Sequence, residues 1–154
     1  MTIVFHVFGR AQQKGSKKAM LNRHTGEPMV LEANKKARAW QAAVGAEAGL
    51  AYTGPLLQGP VFVYVTFTFA RIKSHYRTGK HAGELREDAP KYRTVAPDVD
   101  KLVRTLLDGM KGVVYANDGQ VQLGPCIKLW GNQDVTTVRI DDAAHHPQLL
   151  VPIG

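Results

Sequence analysis

The run Val61–Phe69, VFVYVTFTF, constrains this chain more than any other feature. Val61, Val63, Val65, Phe67 and Phe69 alternate with Phe62, Tyr64, Thr66 and Thr68, and β-branched and aromatic residues at period two form a strand. A strand with one wholly apolar face must pair laterally and be covered on that face, so the chain has to build a sheet with a layer packed against it. Its 154 residues are one domain's length, and 44% hydrophobic with 21% charged residues excludes disorder of the whole. A single domain over 1–154 is therefore expected.

The remaining elements follow from local pattern. Thr2–Phe8 (TIVFHVF) reads as a further strand. From Asn34 to Leu50, Ala37, Trp40, Val44 and Ala48 recur at three- and four-residue steps, which predicts a helix capped by Asn34. Asp98–Met110 predicts a second helix with Leu102, Val103, Leu106, Leu107 and Met110 as its apolar stripe, stopped by Gly109-Met110-Lys111-Gly112. Gly112–Ala116 reads as a short strand and Asn117-Asp118-Gly119 as a turn; Gln120–Trp130 and Val135–Ile140 read as closing strands joined near Gly131-Asn132. This order argues an α+β or mixed α/β domain, a mixed sheet of about four to five strands with two main helices. Two stretches lack apolar periodicity: Gly9–Arg23, expected as an exposed basic loop, and 71–96, expected as a flexible basic flap. Residues 141–154 read as a tail.

Charge points to a partner. Twenty Lys and Arg against thirteen Asp and Glu leave +7, which suits a polyanion. Residues 1–50 hold eight basic and three acidic side chains, whereas residues 101–154 hold five of each, so the basic excess lies early and apart from the late acids. Candidate DNA contacts are Lys14, Lys17, Lys18 and Arg23 in the first loop, Lys35 and Lys36 at the helix start, and Lys73, Arg77 and Lys80 in the flap. In the flap His75, Tyr76 and His81 add aromatic faces; a solvated mobile loop is the alternative. Cations in a first helical turn oppose the macrodipole, a strain that an anionic ligand would relieve.

The single Cys126 excludes a disulfide framework and a cysteine zinc cage, and reads as a small buried hydrophobe. No apolar run is long enough to cross a bilayer and no signal-peptide layout opens the chain, so a soluble cytoplasmic protein is expected. No fingerprint for an organic cofactor is present.

The chemistry-bearing group is Asp98-Val99-Asp100 with Asp118 eighteen residues after Asp100. Carboxylates at i and i+2 face the same way only on extended backbone, so both are expected at the mouth of the helix behind Pro97, not within it. Asp118 reaches the same spot if the strand before it packs beside the helix entrance. Three converging carboxylates repel unless a cation lies between them, and all-oxygen ligation selects Mg²⁺ or Mn²⁺ over zinc. Such an ion can polarise a phosphodiester and activate water. Acids at a helix start also serve as caps, an alternative these residues leave open. Arg104, four residues after Asp100 and four before Asp108, could stabilise charge on a pentacovalent phosphate or belong to a surface ion-pair ladder. Lys101 is a second cation at the helix mouth. His145-His146 reads as tail, His6 as a packed strand histidine, and Trp40 and Trp130 as core or dimer contact.

The segment Pro97–Val121, PDVDKLVRTLLDGMKGVVYANDGQV, resembles the signature of the RusA-type Holliday-junction resolvases, a D-x-D-N-L-x-K helix start followed by [D/N]-D-x-Q-V. Asp98, Asp100, Leu102 and Asp108 match the first part, and Asp118, Gln120 and Val121 the second. Lys101 stands where the family commonly has Asn, and Arg104 where it has a functional Lys. Arg keeps the charge without the compact ammonium, which leaves Lys101 as the candidate amine. The resemblance implies a Mg²⁺-dependent homodimeric endonuclease, with Mn²⁺ a possible substitute, that cuts branched DNA at four-way junctions by paired nicks in recombination, repair or phage DNA processing. It makes Asp98, Asp100 and Asp118 the metal-binding catalytic acids. Symmetric paired cuts need two sites related by a two-fold axis, hence the dimer. Competing readings are a nuclease of flaps, forks or D-loops and a non-catalytic binder of structured DNA.

Overall fold

The computed structural model describes residues 1–15, 17–32 and 34–144. Its elements are β1 (Thr2–Phe8), β2 (Lys17–Leu21), β3 (Pro28–Glu32), α1 (Lys35–Ala51), β4 (Val61–Ala70), α2 (Val99–Met110), β5 (Val121–Gly131) and β6 (Val135–Asp142). The main sheet has the order β1-β6-β4-β5, with β4–β5 parallel and the other pairs antiparallel, and β2 and β3 form a separate antiparallel ribbon. This is the mixed sheet with two main helices that the periodicities predict, in a single small domain.

β4 is one of the two inner strands, and its residues 61, 63, 65, 67 and 69 are at most 2% exposed. Trp40, Val44 and Ala48 of α1 and Leu102, Leu106 and Met110 of α2 complete the core with this face. A parallel pair cannot be joined by a tight turn, and α2 supplies the crossover from β4 to β5. The helices cross closely at two glycines. A Cβ on Gly109 would lie 2.8 Å from the Gln41 carbonyl oxygen, and one on Gly45 would lie 3.0 Å from that of Gly109. Gly109 is thus a contact inside α2 and not its stop; Gly112, at φ +77°, ends the helix.

Several local expectations give way to tertiary contacts. The expected loop Gly9–Arg23 contains β2, which pairs with a β3 that carries no clean alternation in its sequence. Gly112–Ala116 is a turn and no strand: the Gly112 amide donates to the Tyr115 carbonyl at 2.8 Å, with Val114 and Tyr115 fully buried. His6 is exposed, its Nδ1 3.1 Å from Thr137 Oγ1, because it points to the sheet face that no helix covers. Cys126 is half-buried. Trp40 is core, tilted on Phe67 at 6.3 Å, while Trp130 is half-buried at the sheet edge. His75 of the central segment is buried, edge-on to Trp130 at 4.7 Å. Two short 3₁₀ turns, Lys73–His75 and Gly79–His81, punctuate that segment. It is tied to the free edge of β5 by Arg93 N–H to Lys128 O at 3.0 Å and Trp130 N–H to Lys91 O at 2.9 Å. The expected tail begins later than residue 141, since β6 runs to Asp142; His145 and His146 lie outside the described residues. No helix among the described residues is long and apolar enough to cross a membrane.

Candidate active site

The entrance of α2 is built from behind. Lys128 of β5 donates its Nζ to the carbonyl oxygens of Val95 at 2.8 Å and Pro97 at 2.7 Å. Arg93 donates Nε to the Ala96 carbonyl at 3.1 Å, and its guanidinium lies 4.5 Å from the ring centres of both Phe69 and Trp130. Three successive carbonyls before Asp98 are thus each held by a cation, and charge-assisted bonds of this kind are stronger than neutral ones. Desolvation first, and the nearby Arg93 charge second, hold the Lys128 ammonium below the ordinary lysine range, with Asp98 opposing.

This scaffold delivers Asp98 as the N-cap, at φ −71° and ψ 139°, with its amide donating to Gln13 Oε1 at 3.2 Å. The Asp98 carbonyl already accepts the first helical bond, from Leu102 N–H at 3.1 Å, so Asp100 falls inside the first turn. The extended-backbone argument therefore holds for Asp98 alone. The Asp98 carboxylate makes no capping bond; it is exposed, 3.3 Å from Lys101 Nζ. Asp100 and Arg104 are exposed, and among the described residues neither has a salt-bridge partner. Two acids at a helix N-terminus sit where the macrodipole favours negative charge.

Asp118 lies at the other end. Lys111 is the C-cap of α2, and its Nζ is 3.8 Å from Asp118 Oδ2. Asp118 opens a 3₁₀ turn, Asp118–Gln120, that Gln120 braces. Its Oε1 accepts from the amides of Ala116 at 3.0 Å and Asn117 at 2.8 Å, and its Nε2 donates to the carbonyls of Leu57 at 2.7 Å and Gly59 at 2.9 Å. The motif glutamine is a structural brace. Tyr115 donates its hydroxyl to Leu107 O at 2.9 Å; burial pushes its pKa up, and the charges of Asp118 and Asp108 add to the shift. Asp108 pairs with half-buried Lys14, not with Arg104. The twelve residues of α2 span about 18 Å at 1.5 Å per residue, with Asp98 at the N-cap and Asp118 beside the C-cap Lys111. Among the described residues no group of three His, Cys, Asp or Glu could hold a metal ion. One chain leaves Asp98 and Asp100 exposed at the entrance of α2, with Lys101 beside Asp98, and places Asp118 at the other end of the helix.

The basic candidates spread over three places. Lys17 and Lys18 lie in β2, Arg23 is exposed in the turn between β2 and β3, and Lys35 and Lys36 are exposed in the first turn of α1. Lys73 and Lys80 are exposed on the 3₁₀ turns, and Arg77 pairs with Glu84 at 3.2 Å. Sequence reasoning missed Gln13, Arg93 and Lys128. Lys128 alone left a signal: it shares a strand face with Cys126 and Trp130, both packed on the core, and a lysine at such a position needs a polar partner.

A search of curated proteins finds no match. A family profile described as Endodeoxyribonuclease RusA matches residues 11–141. That span takes in both helices, the ribbon, the sheet except β1 and the whole 97–121 motif, so the chain belongs to the RusA endodeoxyribonuclease family, hydrolases that act on DNA.

Proposed function

We propose that this protein resolves Holliday junctions by paired symmetric nicks, working as a homodimer with Mg²⁺, for which Mn²⁺ can substitute, in the cytoplasm during recombination, repair or phage DNA processing. One observation carries the reading: the family match runs through a motif whose first two acids, Asp98 and Asp100, stand exposed at the open end of α2 with Lys101 and Arg104 around them. Asp98, Asp100 and Asp118 are the proposed metal-binding catalytic acids. Arg104 is the proposed stabiliser of charge on the phosphate, and Lys101, paired with Asp98 at 3.3 Å, is the proposed amine. Lys17, Lys18, Arg23, Lys35, Lys36, Lys73, Arg77 and Lys80 are the proposed backbone contacts, while Lys14 is engaged by Asp108.

Family nucleases are generally divalent-metal dependent, yet among the described residues of one chain the three acids do not gather around a single ion site. Two chains whose α2 helices run antiparallel across a two-fold axis would set the Asp118 end of each against the Asp98 end of the other. The same axis supplies the two cutting sites that symmetric nicks require.

The test is a labelled four-way junction beside its matched linear duplex, with Mg²⁺ and with EDTA. Symmetric nicks on the junction alone, lost with EDTA, are the expected result. Preferential cutting of flaps, forks or D-loops would keep the nuclease and replace its substrate. Tight binding without cutting would leave a structured-DNA binding protein.

A further inference from the structure

We infer that the β2–β3 ribbon is a wedge whose exposed apolar end, Leu21 on one face and Met20 with Met29 on the other, enters between base pairs at a DNA branch point. The inference rests on the branched-DNA reading above and names what would give that site its preference for branches.

Among the described residues the ribbon pairs with itself and packs on no other helix or strand beyond incidental contacts. Two-stranded ribbons alone are marginal in water, and this one exposes Leu21 at 68%, Met20 at 48% and Met29 at 38%. Met20 and Met29 are register partners and so share one face, while Leu21, opposite Pro28, ends β2 at the tip. The tip is built to hold its shape: Asn22 N–H donates to Glu27 O at 2.8 Å, Gly26 N–H to Asn22 O at 2.8 Å and His24 N–H to Asn22 Oδ1 at 2.9 Å. An apolar tip on a fixed turn, left without cover among the described residues, marks a contact surface.

Two features choose DNA as the occupant. Apart from Lys14, which Asp108 engages, residues 9–32 hold four Lys and Arg against two Glu, so the ribbon and its approach attract a polyanion. The feet of the ribbon are also tied to the helix that carries the acids. Gln13 accepts from the Asp98 amide, Lys14 N–H donates to Thr105 Oγ1 at 3.2 Å, and Asn34 Nδ2 donates to Gln13 O at 2.9 Å. The ribbon is therefore rooted beside the entrance of α2, where Asp98 and Asp100 stand. Apolar side chains driven between base steps must unstack them. At a branch point stacking is already interrupted, so insertion there costs less than in a continuous duplex. The wedge converts that difference into selectivity.

The experiment uses the full chain with 2-aminopurine at the branch point of a four-way junction, and with the same probe in a linear duplex. Wild-type protein is expected to raise junction fluorescence several-fold and leave the duplex unchanged. Leu21→Ser with Met20→Ser and Met29→Ser is expected to abolish the rise and cut the junction-over-duplex binding ratio about tenfold. Should the triple variant lose its far-ultraviolet dichroism, Leu21→Ser alone, at the most exposed of the three positions, decides. A rise that survives either folded variant overturns the wedge, as does a loss of dimer by sedimentation with the rise intact, which would make the ribbon a contact between copies. A wild type that cuts junctions without any rise overturns the wedge alone. A wild type with no junction preference in binding or cutting overturns both readings.

Discussion

The two ends of α2 carry the acids of one contiguous motif and treat them oppositely. At the N-terminal end the backbone is immobilised and the carboxylates are left open: Lys128 and Arg93 hold the carbonyls of Val95, Ala96 and Pro97, while Asp98 and Asp100 face solvent. At the C-terminal end the acids themselves are engaged, Asp108 by Lys14 and Asp118 by Lys111, over a buried Tyr115. A rigid helix keeps the ends apart. Twenty-five consecutive residues can thus read as one signature and still place their acids at opposite ends of a helix, since distance along a helix grows by about 1.5 Å per residue whatever the motif requires.

The sharpest way to break this comparison is to disable each end separately. Asp100→Asn is expected to lower junction cleavage by roughly 10³-fold or more, the scale seen when a group acting as part of a catalytic unit is removed. Junction binding should stay intact or tighten, because a negative charge near phosphate is gone; gel shift and cleavage on the same preparation check both. Asp118→Asn should be as inactive. Mixing the two inactive proteins then separates one-chain from two-chain sites. If each site combines the Asp98 end of one chain with the Asp118 end of another, half of randomly mixed dimers carry one intact site of two, and single-nick activity returns to about a quarter of the wild-type level. No recovery after subunit exchange would place all three acids of a site in one chain.

Lys128→Met probes the N-terminal end without touching an acid. Freeing the carbonyls of Val95 and Pro97 should lower kcat about tenfold with KM little changed and reduce unfolding free energy by about 1–3 kcal/mol, read by steady-state cleavage and urea denaturation. Equal loss from Lys14→Ala would erase the distinction between the ends. Gly109→Ala tests the spacer: a Cβ 2.8 Å from the Gln41 carbonyl must push α1 and α2 apart, at about 1–3 kcal/mol by thermal unfolding. The smallest effect is expected from Lys14, Lys17 and Lys18 all changed to Ala. Lys14 is spent on Asp108, so the salt dependence of binding should flatten by about two units of slope, not three.

Much of this was legible locally. The alternation of Val61–Phe69, the apolar stripes of α1 and α2 and the Asn34 cap rest on contacts a few residues apart, and they appear as read, Asn34 Oδ1 accepting from Lys36 N–H at 3.1 Å. The site was legible as a set of residue types. Its arrangement was not: Lys128 meets Val95 and Pro97 across 33 and 31 residues, and Gln13 meets Asp98 across 85. Gly109 reads as a stop from its neighbours and is a helix contact because Val44 lies against it.

What the sequence determined by itself is therefore a periodic scaffold and a stock of acids and bases with the marks of a DNA-cutting family, because backbone preference and side-chain chemistry are properties of short stretches. Only the tertiary structure decided that β2 and β3 stand clear of the core as a ribbon rooted on α2, that cations brace the entrance to Asp98, and that Asp118 waits at the far end. Those outcomes depend on which distant segments the packing of two helices on one sheet face brings together, and no local pattern encodes that distance.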